Sequence, residues 1–503
     1  MPDATRPHRR LFSIRPFVER FATIVAKFQG TLTPKHTELM SDPAVSAFSR
    51  RRFINASGGA ILTPAILTAT GTLHAQQKAD SNETLKIGLI GCGGRGTGAA
   101  AQALGADYNS KIVAMADAFD TQIESSIKNL STQFPDRVDV KPDKKFTGLD
   151  AYQKLIDCGV DVVLLATPPG FRPLHLTAAV EAGKHIFCEK PMAVDAAGYR
   201  VAQAAVEKAK QKKLNLVAGF CWRYSTSRIE CYKRLHDGQI GDITGILATY
   251  YAGPVKPMPP ASGRPAGMGD VEWQVRNWYN FSWLSGDSIV EQAVHSLDKI
   301  CWAMKDQPPV SAMGTGGRQI KAEDGNIFDH FHVAYEWDGG LLCHLTNRQI
   351  TGCHNEVFDS IQGTKGRLVI GKGPAPFIDG EKRWRWRGEE KNMYDLEHQA
   401  LFNAIRKGEV INDGDRMMSS TLIAIMGREA AYTGQKILWK DDAPPAPPPA
   451  AEAKEKEAKK AKTPERVALA ILSSKQDLAP DNLQYGDKFE PSPMPIPGMT
   501  KFA

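Results

Sequence analysis

At 503 residues, with 24% of them charged, the chain has room for two ordinary domains plus extensions. Of its net charge of +7, +6 sits in the first 75 residues, which hold ten basic and four acidic side chains; the nearly neutral remainder gives no electrostatic ground for nucleic-acid binding. The eight cysteines show no Cys-x-x-Cys pair and no zinc spacing, so neither a zinc module nor an obligatory disulfide framework is expected.

Taken in chain order, the first signal is Ser49-Arg50-Arg51-Arg52-Phe53-Ile54, which resembles the twin-arginine export motif. A mildly apolar stretch, Ala56 to Leu73, and a small-residue cleavage site at Leu73-His74-Ala75 follow. Gly58, Gly59 and Pro64 make that stretch a poor membrane span. Residues 1–75 are expected to be a leader that sends a folded protein to the periplasm through the twin-arginine machinery; Met40 offers an alternative start.

Strand and helix patterns alternate from residue 84 to 220. Strands are expected at Leu85–Ile90, Lys111–Ala116, Asp161–Ala166, His185–Cys188 and Asn215–Ala218, with helices between them. Short apolar strands alternating with helices predict a doubly wound parallel sheet of Rossmann type. The first strand opens into Gly91-x-Gly93-x-x-Gly96. Gly91 permits a tight turn, Gly93 lets a pyrophosphate approach the backbone, and Gly96 lets the next helix pack on the strand. Gly94 and Arg95 complete the loop, and the helix start offers N–H groups to phosphate. Asp117 ends the second strand, placed to accept the ribose hydroxyls of NAD and to repel a 2′-phosphate; Arg95 keeps NADP open as the alternative.

The character changes after Phe220. Residues 221–437 read as an α+β domain: a helix at Ser227–Asp237, a strand at Thr244–Tyr251, a Gly/Pro-rich loop at 253–270, an aromatic run from Trp273 to Trp283, and a helix at Leu297–Met304. Strand signals follow between Val310 and Ile370, with Asp338-Gly339-Gly340 as a hairpin turn. Together they predict a mostly antiparallel open sheet, closed by helix over 395–435. Residues 438–503 begin as a Pro/Ala-rich linker and a Lys/Glu run; their last part, rich in Pro, is expected to lie on the surface or dock on a neighbouring subunit.

Two turns at the carboxyl edge of the parallel sheet carry the chemistry. Thr167-Pro168 ends one strand, with His175 on the helix that follows. Ala182-Gly183-Lys184-His185 leads through the next strand to Glu189-Lys190-Pro191, which aims Lys190 at the cofactor crevice. Farther on, Glu291, His295 and Asp298 form an acid-x-x-x-His-x-x-Asp series, and spacing i, i+4 on one helix would bring Glu291 and His295 to one face. Arg223, Arg276, Trp278 and Asp298, among neighbouring aromatics, are the candidates for holding a sugar's hydroxyls and ring face; a buried aromatic cluster is the alternative. His330, His332, His344 and His354 lack carboxylates at metal-ligand spacing, and no metal site is expected.

These motifs together resemble the Gfo/Idh/MocA oxidoreductase family, over residues 84 to 437. The resemblance implies a nucleotide domain followed by an α/β domain whose open sheet forms a homo-oligomer interface. It implies hydride transfer between nicotinamide and a sugar, polyol or related carbon. By position, Lys190 would polarise the reacting oxygen or move its proton, and His295 would be the general base. Glu189 and Lys190 would also border the cofactor. Glu291 stands where the family usually has Asp, and its carboxylate would orient the imidazole or bind substrate.

Export sharpens the expectation. Free nicotinamide cofactor should be scarce outside the cytoplasm, so NAD would be inserted before export, held tightly and regenerated on the same molecule. The leading expectation is an exported sugar or polyol oxidoreductase. The alternatives are a glycosidase that oxidises, eliminates and re-reduces on its own NAD, and a sugar-binding protein without turnover.

Overall fold

The computed structural model describes residues 83–371, 375–439, 484–485 and 488–500. The expected leader (1–75), the Pro/Ala-rich linker and the Lys/Glu run of 452–462 lie outside the described residues.

The first lobe is a six-stranded sheet with order β3-β2-β1-β4-β5-β6 and every neighbour parallel. Its strands are β1 (Leu85–Ile90), β2 (Ser110–Asp117), β3 (Lys145–Thr147), β4 (Val162–Leu165), β5 (His185–Cys188) and β6 (Leu216–Ala218). The helices between them are α1 (Gly94–Ala106), α2 (Asp120–Gln133), α3 (Ala151–Asp157), α4 (Arg172–Glu181) and α5 (Ala196–Gln211). β4 is buried along its whole length, which explains its unbroken Val-Val-Leu-Leu run: helices cover both faces of a parallel sheet. β3 was not legible in the sequence, because three residues, two half-buried and one exposed, carry no period. The strand order reverses between β1 and β4, and ligands of such sheets bind in the crevice at that point.

The second lobe begins with α6 (Thr226–His236) and β7 (Ile243–Ala252). Four short helices then cross the top: α7 (Asp270–Arg276), α8 (Ser282–Ser285), α9 (Asp287–Glu291) and α10 (Val294–Ala303). β8 (Ser311–Gly317), β9 (His330–Trp337), β10 (Leu341–Gln349), β11 (Glu356–Gly363), β12 (Gly366–Gly371), β13 (Phe377–Gly380), β14 (Trp384–Arg385) and β15 (Ile437–Leu438) complete the sheet. Its order is β14-β13-β12-β11-β7-β10-β9-β8-β15, antiparallel throughout except where β7 pairs with β10. The predicted turn joins β9 to β10, with Gly339 and Gly340 at φ 78° and 79°.

α11 (Met393–Lys407) and α12 (Gly414–Thr433) return to the first lobe. α12 is buried on nearly all sides, so it shows no amphipathic stripe. It fastens the lobes: Arg428 Nη1 donates to the carbonyl of Val194 at 2.5 Å, and Tyr432 Oη donates to Asp287 Oδ2 at 2.6 Å. Thr421 Oγ1 accepts from the Met192 N–H at 3.2 Å, steadying the chain behind Lys190.

Candidate active site

A cavity of about 870 Å³ opens at the β1/β4 crevice, lined by Gly91, Gly93, Gly94, Arg95 and Gly96, and by Asp117, Thr167, Pro168 and His175. Two of the glycines, Gly91 and Gly96, are there for steric reasons. Gly91 has φ +93°, and a Cβ on it would sit 2.6 Å from the Ala166 backbone. A Cβ on Gly96 would lie 1.8 Å from the Gly91 carbonyl, so the strand and α1 could not approach as they do. At Gly93 a Cβ would meet nothing within 4 Å. The backbone there faces open cavity at the start of α1, where helical N–H groups lack intrahelical partners. Asp117 is held ready: Oδ2 accepts from the Cys92 N–H at 2.6 Å and Oδ1 from the Phe119 N–H at 2.9 Å. Burial raises its pKa above the ordinary carboxylate value. This cradle fits a dinucleotide.

Thr167 Oγ1 pairs with His175 Nδ1 at 3.1 Å, and Tyr152 stacks on the imidazole with ring centres 4.2 Å apart. Burial, helped by the charge of Arg172, pushes His175 down to about 3, so it is neutral at physiological pH. Arg172 itself links the Thr167-Pro168 turn to the Glu189-Lys190-Pro191 turn. Its guanidinium donates to the carbonyl of Thr167 and to that of Pro191. Sequence reading passed it over, because an Arg on the first turn of α4 carries no motif of its own.

A second cavity of about 950 Å³ adjoins the first; Arg95, Ala166, Thr167 and Trp278 line both. Glu189, Lys190, Glu291 and His295 converge on its wall. Lys190 Nζ donates to Glu291 Oε1 at 2.8 Å and also to the Glu291 carbonyl, with both side chains about nine-tenths buried. The chain of contacts continues: Gln292 Nε2 donates to Glu291 Oε2 at 2.5 Å, and Tyr250 Oη donates to Gln292 Oε1 at 3.0 Å. Tyr250 and Arg228 also line this cavity, and sequence reading named neither. Arg228 lies 3.9 Å over the ring of Trp222, which supplies an aromatic wall.

Several sequence expectations are corrected. Glu291 and His295 do not share one helix: α9 ends at Glu291 and α10 starts at Val294, with Gln292 at ψ −55° and φ −110° between them. Glu291 therefore serves Lys190 and not the imidazole, whose Nδ1 is buried without a hydrogen-bond partner. Desolvation, then the charges of Lys190, Lys299 and Arg95, hold His295 well below the usual histidine value. Arg223 and Asp298 are turned to each other and away from both cavities. Arg223 Nε meets Asp298 Oδ1 at 2.9 Å and Nη2 meets Asp306 Oδ1 at 2.6 Å, and neither Arg223 nor Asp298 lines either cavity. Their charges satisfy each other inside the second lobe. Arg276 lines the nucleotide cavity instead of the second one, paired with Glu272 at 2.7 Å and lying 3.9 Å over Phe119. Arg95 is drawn to Glu189 at 2.5 Å, on the border of the two cavities, which argues against a free phosphate ligand. His332 and His344 meet at 3.3 Å, while His330 pairs with Asp329. Among the described residues no three metal-ligating side chains cluster.

Comparison with known proteins agrees with this architecture. The family model described as "Oxidoreductase family, NAD-binding Rossmann fold" matches residues 85–220, and the "GFO/IDH/MocA C-terminal domain" matches residues 230–369. Inositol 2-dehydrogenase of Rhizobium meliloti (strain 1021) is 29% identical over 289 residues, 57% of this chain and 75% of that protein. Among solved structures, the aldose-aldose oxidoreductase of Caulobacter crescentus superposes with a TM-score of 0.56 at 18% identity, covering 71% of this chain and all of that one. Levoglucosan dehydrogenase, solved with NADH and levoglucosan, gives the same TM-score and identity over 71% of this chain and 99% of its own; both are likenesses of fold. The chain belongs to the Gfo/Idh/MocA family of oxidoreductases, with the NAD-binding Rossmann fold followed by the family's C-terminal domain.

Proposed function

We propose that this protein is an exported enzyme that moves hydride between a tightly held NAD and a hydroxyl-bearing carbon of a sugar or polyol. The observation that carries the reading is the meeting of the two cavities at Arg95, Ala166, Thr167 and Trp278, with Lys190 and His295 on the wall of the second. Names of relatives, an inositol and a levoglucosan dehydrogenase, support a polyhydroxylated substrate.

The glycine turn and Asp117 would hold NAD, which supplies the hydride acceptor when bound. The Lys190 ammonium, kept in place by Glu291, stabilises negative charge on the substrate oxygen as its proton leaves. His295, neutral because its surroundings disfavour the charged form, accepts that proton and returns it in the reverse direction. Trp278, which lines both cavities, offers an apolar face to a sugar ring.

The test is to denature purified folded protein without added cofactor and identify the nucleotide released. Stoichiometric NAD(H), followed by oxidation of one sugar coupled to reduction of another, is the expected result. A protein that carries no dinucleotide and binds none overturns the reading. Aglycone release from glycosides without net redox change would move the assignment to transient-oxidation chemistry. For export, Arg50→Lys with Arg51→Lys should retain the protein in the cytoplasm; unchanged fractionation rejects the leader.

A further inference from the structure

The C-terminal segment does not lie idly on the surface. Tyr485 Oη donates to the carbonyl of Ala118, and its ring stacks on Phe119 with centres 5.8 Å apart and planes 16° from parallel. Asp117, Ala118 and Phe119 form the end of the nucleotide cavity where the ribose-binding acid stands. Four residues on, the Phe489 N–H donates to Asp270 Oδ2 at 3.2 Å, and its carbonyl accepts from Gln274 Nε2 at 2.7 Å. The Phe489 ring packs on Trp283 at 5.0 Å, and Trp283 Nε1 in turn donates to Gln274 Oε1 at 2.7 Å.

Asp270 and Gln274 both belong to α7, whose residues Trp273, Val275 and Arg276 line the same cavity. So one side of this short helix walls the nucleotide site and other residues of it are gripped by the tail. Two more bonds secure the segment beyond: Asn326 Nδ2 donates to the Ser492 carbonyl at 2.8 Å, and the Gly498 N–H donates to the Thr433 carbonyl at 2.8 Å. Pro491, Pro493, Pro495 and Pro497 stiffen the chain, which lowers the entropy lost when it docks. Residues 440–483 separate the segment from Trp439, so its docking is a long-range contact of its own.

We propose that Tyr485 and residues 488–500 are a latch on the adenosine end of the cofactor site: Tyr485 closes the wall at Ala118–Phe119, Phe489 fastens α7, and together they slow release of the dinucleotide. The inference rests on the NAD reading above. It gives a physical means for an enzyme working outside the cytoplasm to keep its cofactor.

The test follows NADH fluorescence in the full-length holoprotein after mixing with excess NAD competitor. Tyr485→Ala with Phe489→Ala should speed release by about tenfold or more, and Tyr485→Phe, which keeps the stack but loses the Ala118 bond, should fall between. Tyr108→Ala, at a residue 80% exposed and outside both the latch and the cavity, should leave release unchanged. A second measurement needs no variant. If the latch and the cofactor hold each other, saturating NAD must slow trypsin cleavage after Lys488 in the wild-type protein. Equal release from the double variant, or cleavage at Lys488 indifferent to NAD, overturns the latch while leaving the cofactor site intact. Wild-type protein that binds no NAD at all overturns both.

Discussion

Lys190 Nζ and Glu291 Oε1 stand 2.8 Å apart, joined across the two lobes in a largely buried ion pair. With both side chains about nine-tenths buried, neither charge is freely solvated, so each depends on the other. Removing one member of such a pair costs about 3–5 kcal/mol, because the survivor is left buried and uncompensated. Lys190→Met should therefore destabilise the fold by that order and lower kcat by about 10²–10³. The double variant Lys190→Met, Glu291→Gln should regain much of the stability and none of the activity. Urea titrations and turnover numbers decide it; stability that simply adds across the two single variants would deny the coupling.

His295 gives a prediction in pH. Its surroundings hold its pKa well below the usual histidine value, desolvation first and the Lys190 charge second. The imidazole is then neutral through the physiological range, and with His295 in the proposed role of base, activity should fall on acidification only below pH 6.5. His295→Asn should lose about 10²–10⁴ in kcat and remove that acid limb while nucleotide content stays the same. An acid limb at or above pH 6.5 in the wild type contradicts this electrostatic picture.

Arg223 separates stability from chemistry. It is buried between Asp298 and Asp306, with Trp302 beneath its guanidinium at 5.5 Å. Arg223→Ala should cost about 3–5 kcal/mol while kcat/KM per folded molecule is unchanged. A rise in KM at full stability would return Arg223 to the substrate site.

Stability should also depend on pH through histidines buried neutral. Burial pushes His175 and His398 down to about 3 and His185 to about 4. Between those values and about 6.5 the unfolded chain binds protons that the folded chain refuses, so stability rises with pH there. The full contribution is present above pH 6.5 and is lost as pH falls towards 4, by up to about 1.4 kcal/mol per pH unit for each histidine. His398 stacks on Phe187 at 4.0 Å with neither ring nitrogen hydrogen-bonded, so His398→Phe should flatten part of that slope. Urea midpoints that stay level from pH 7 to pH 5 would refute the assignment.

Most of the first lobe was legible along the chain, because its signals are local. A strand buried on both faces must be apolar throughout, as β4 is, and a turn with φ +93° under a carbonyl must be Gly91. The Glu189-Lys190-Pro191 turn was legible for a similar reason: it ends a strand at the edge where this kind of sheet binds ligands. The single helix imagined for Glu291 and His295 failed because spacing alone does not reveal that α9 stops at Glu291.

By itself, then, the sequence determined the order of the longer strands and helices, the steric form of the glycine turn and the position of Lys190 at its rim. All of these depend on neighbours a few residues away. The tertiary structure decided which charges meet. Lys190 finds Glu291, Arg223 finds Asp298, and Tyr485 finds Ala118, across separations of 101, 75 and 367 residues. No local period encodes those partners; they follow from how two sheets, α12 and the C-terminal segment pack, and that packing set apart the residues that line the cavities from those that only hold the lobes together.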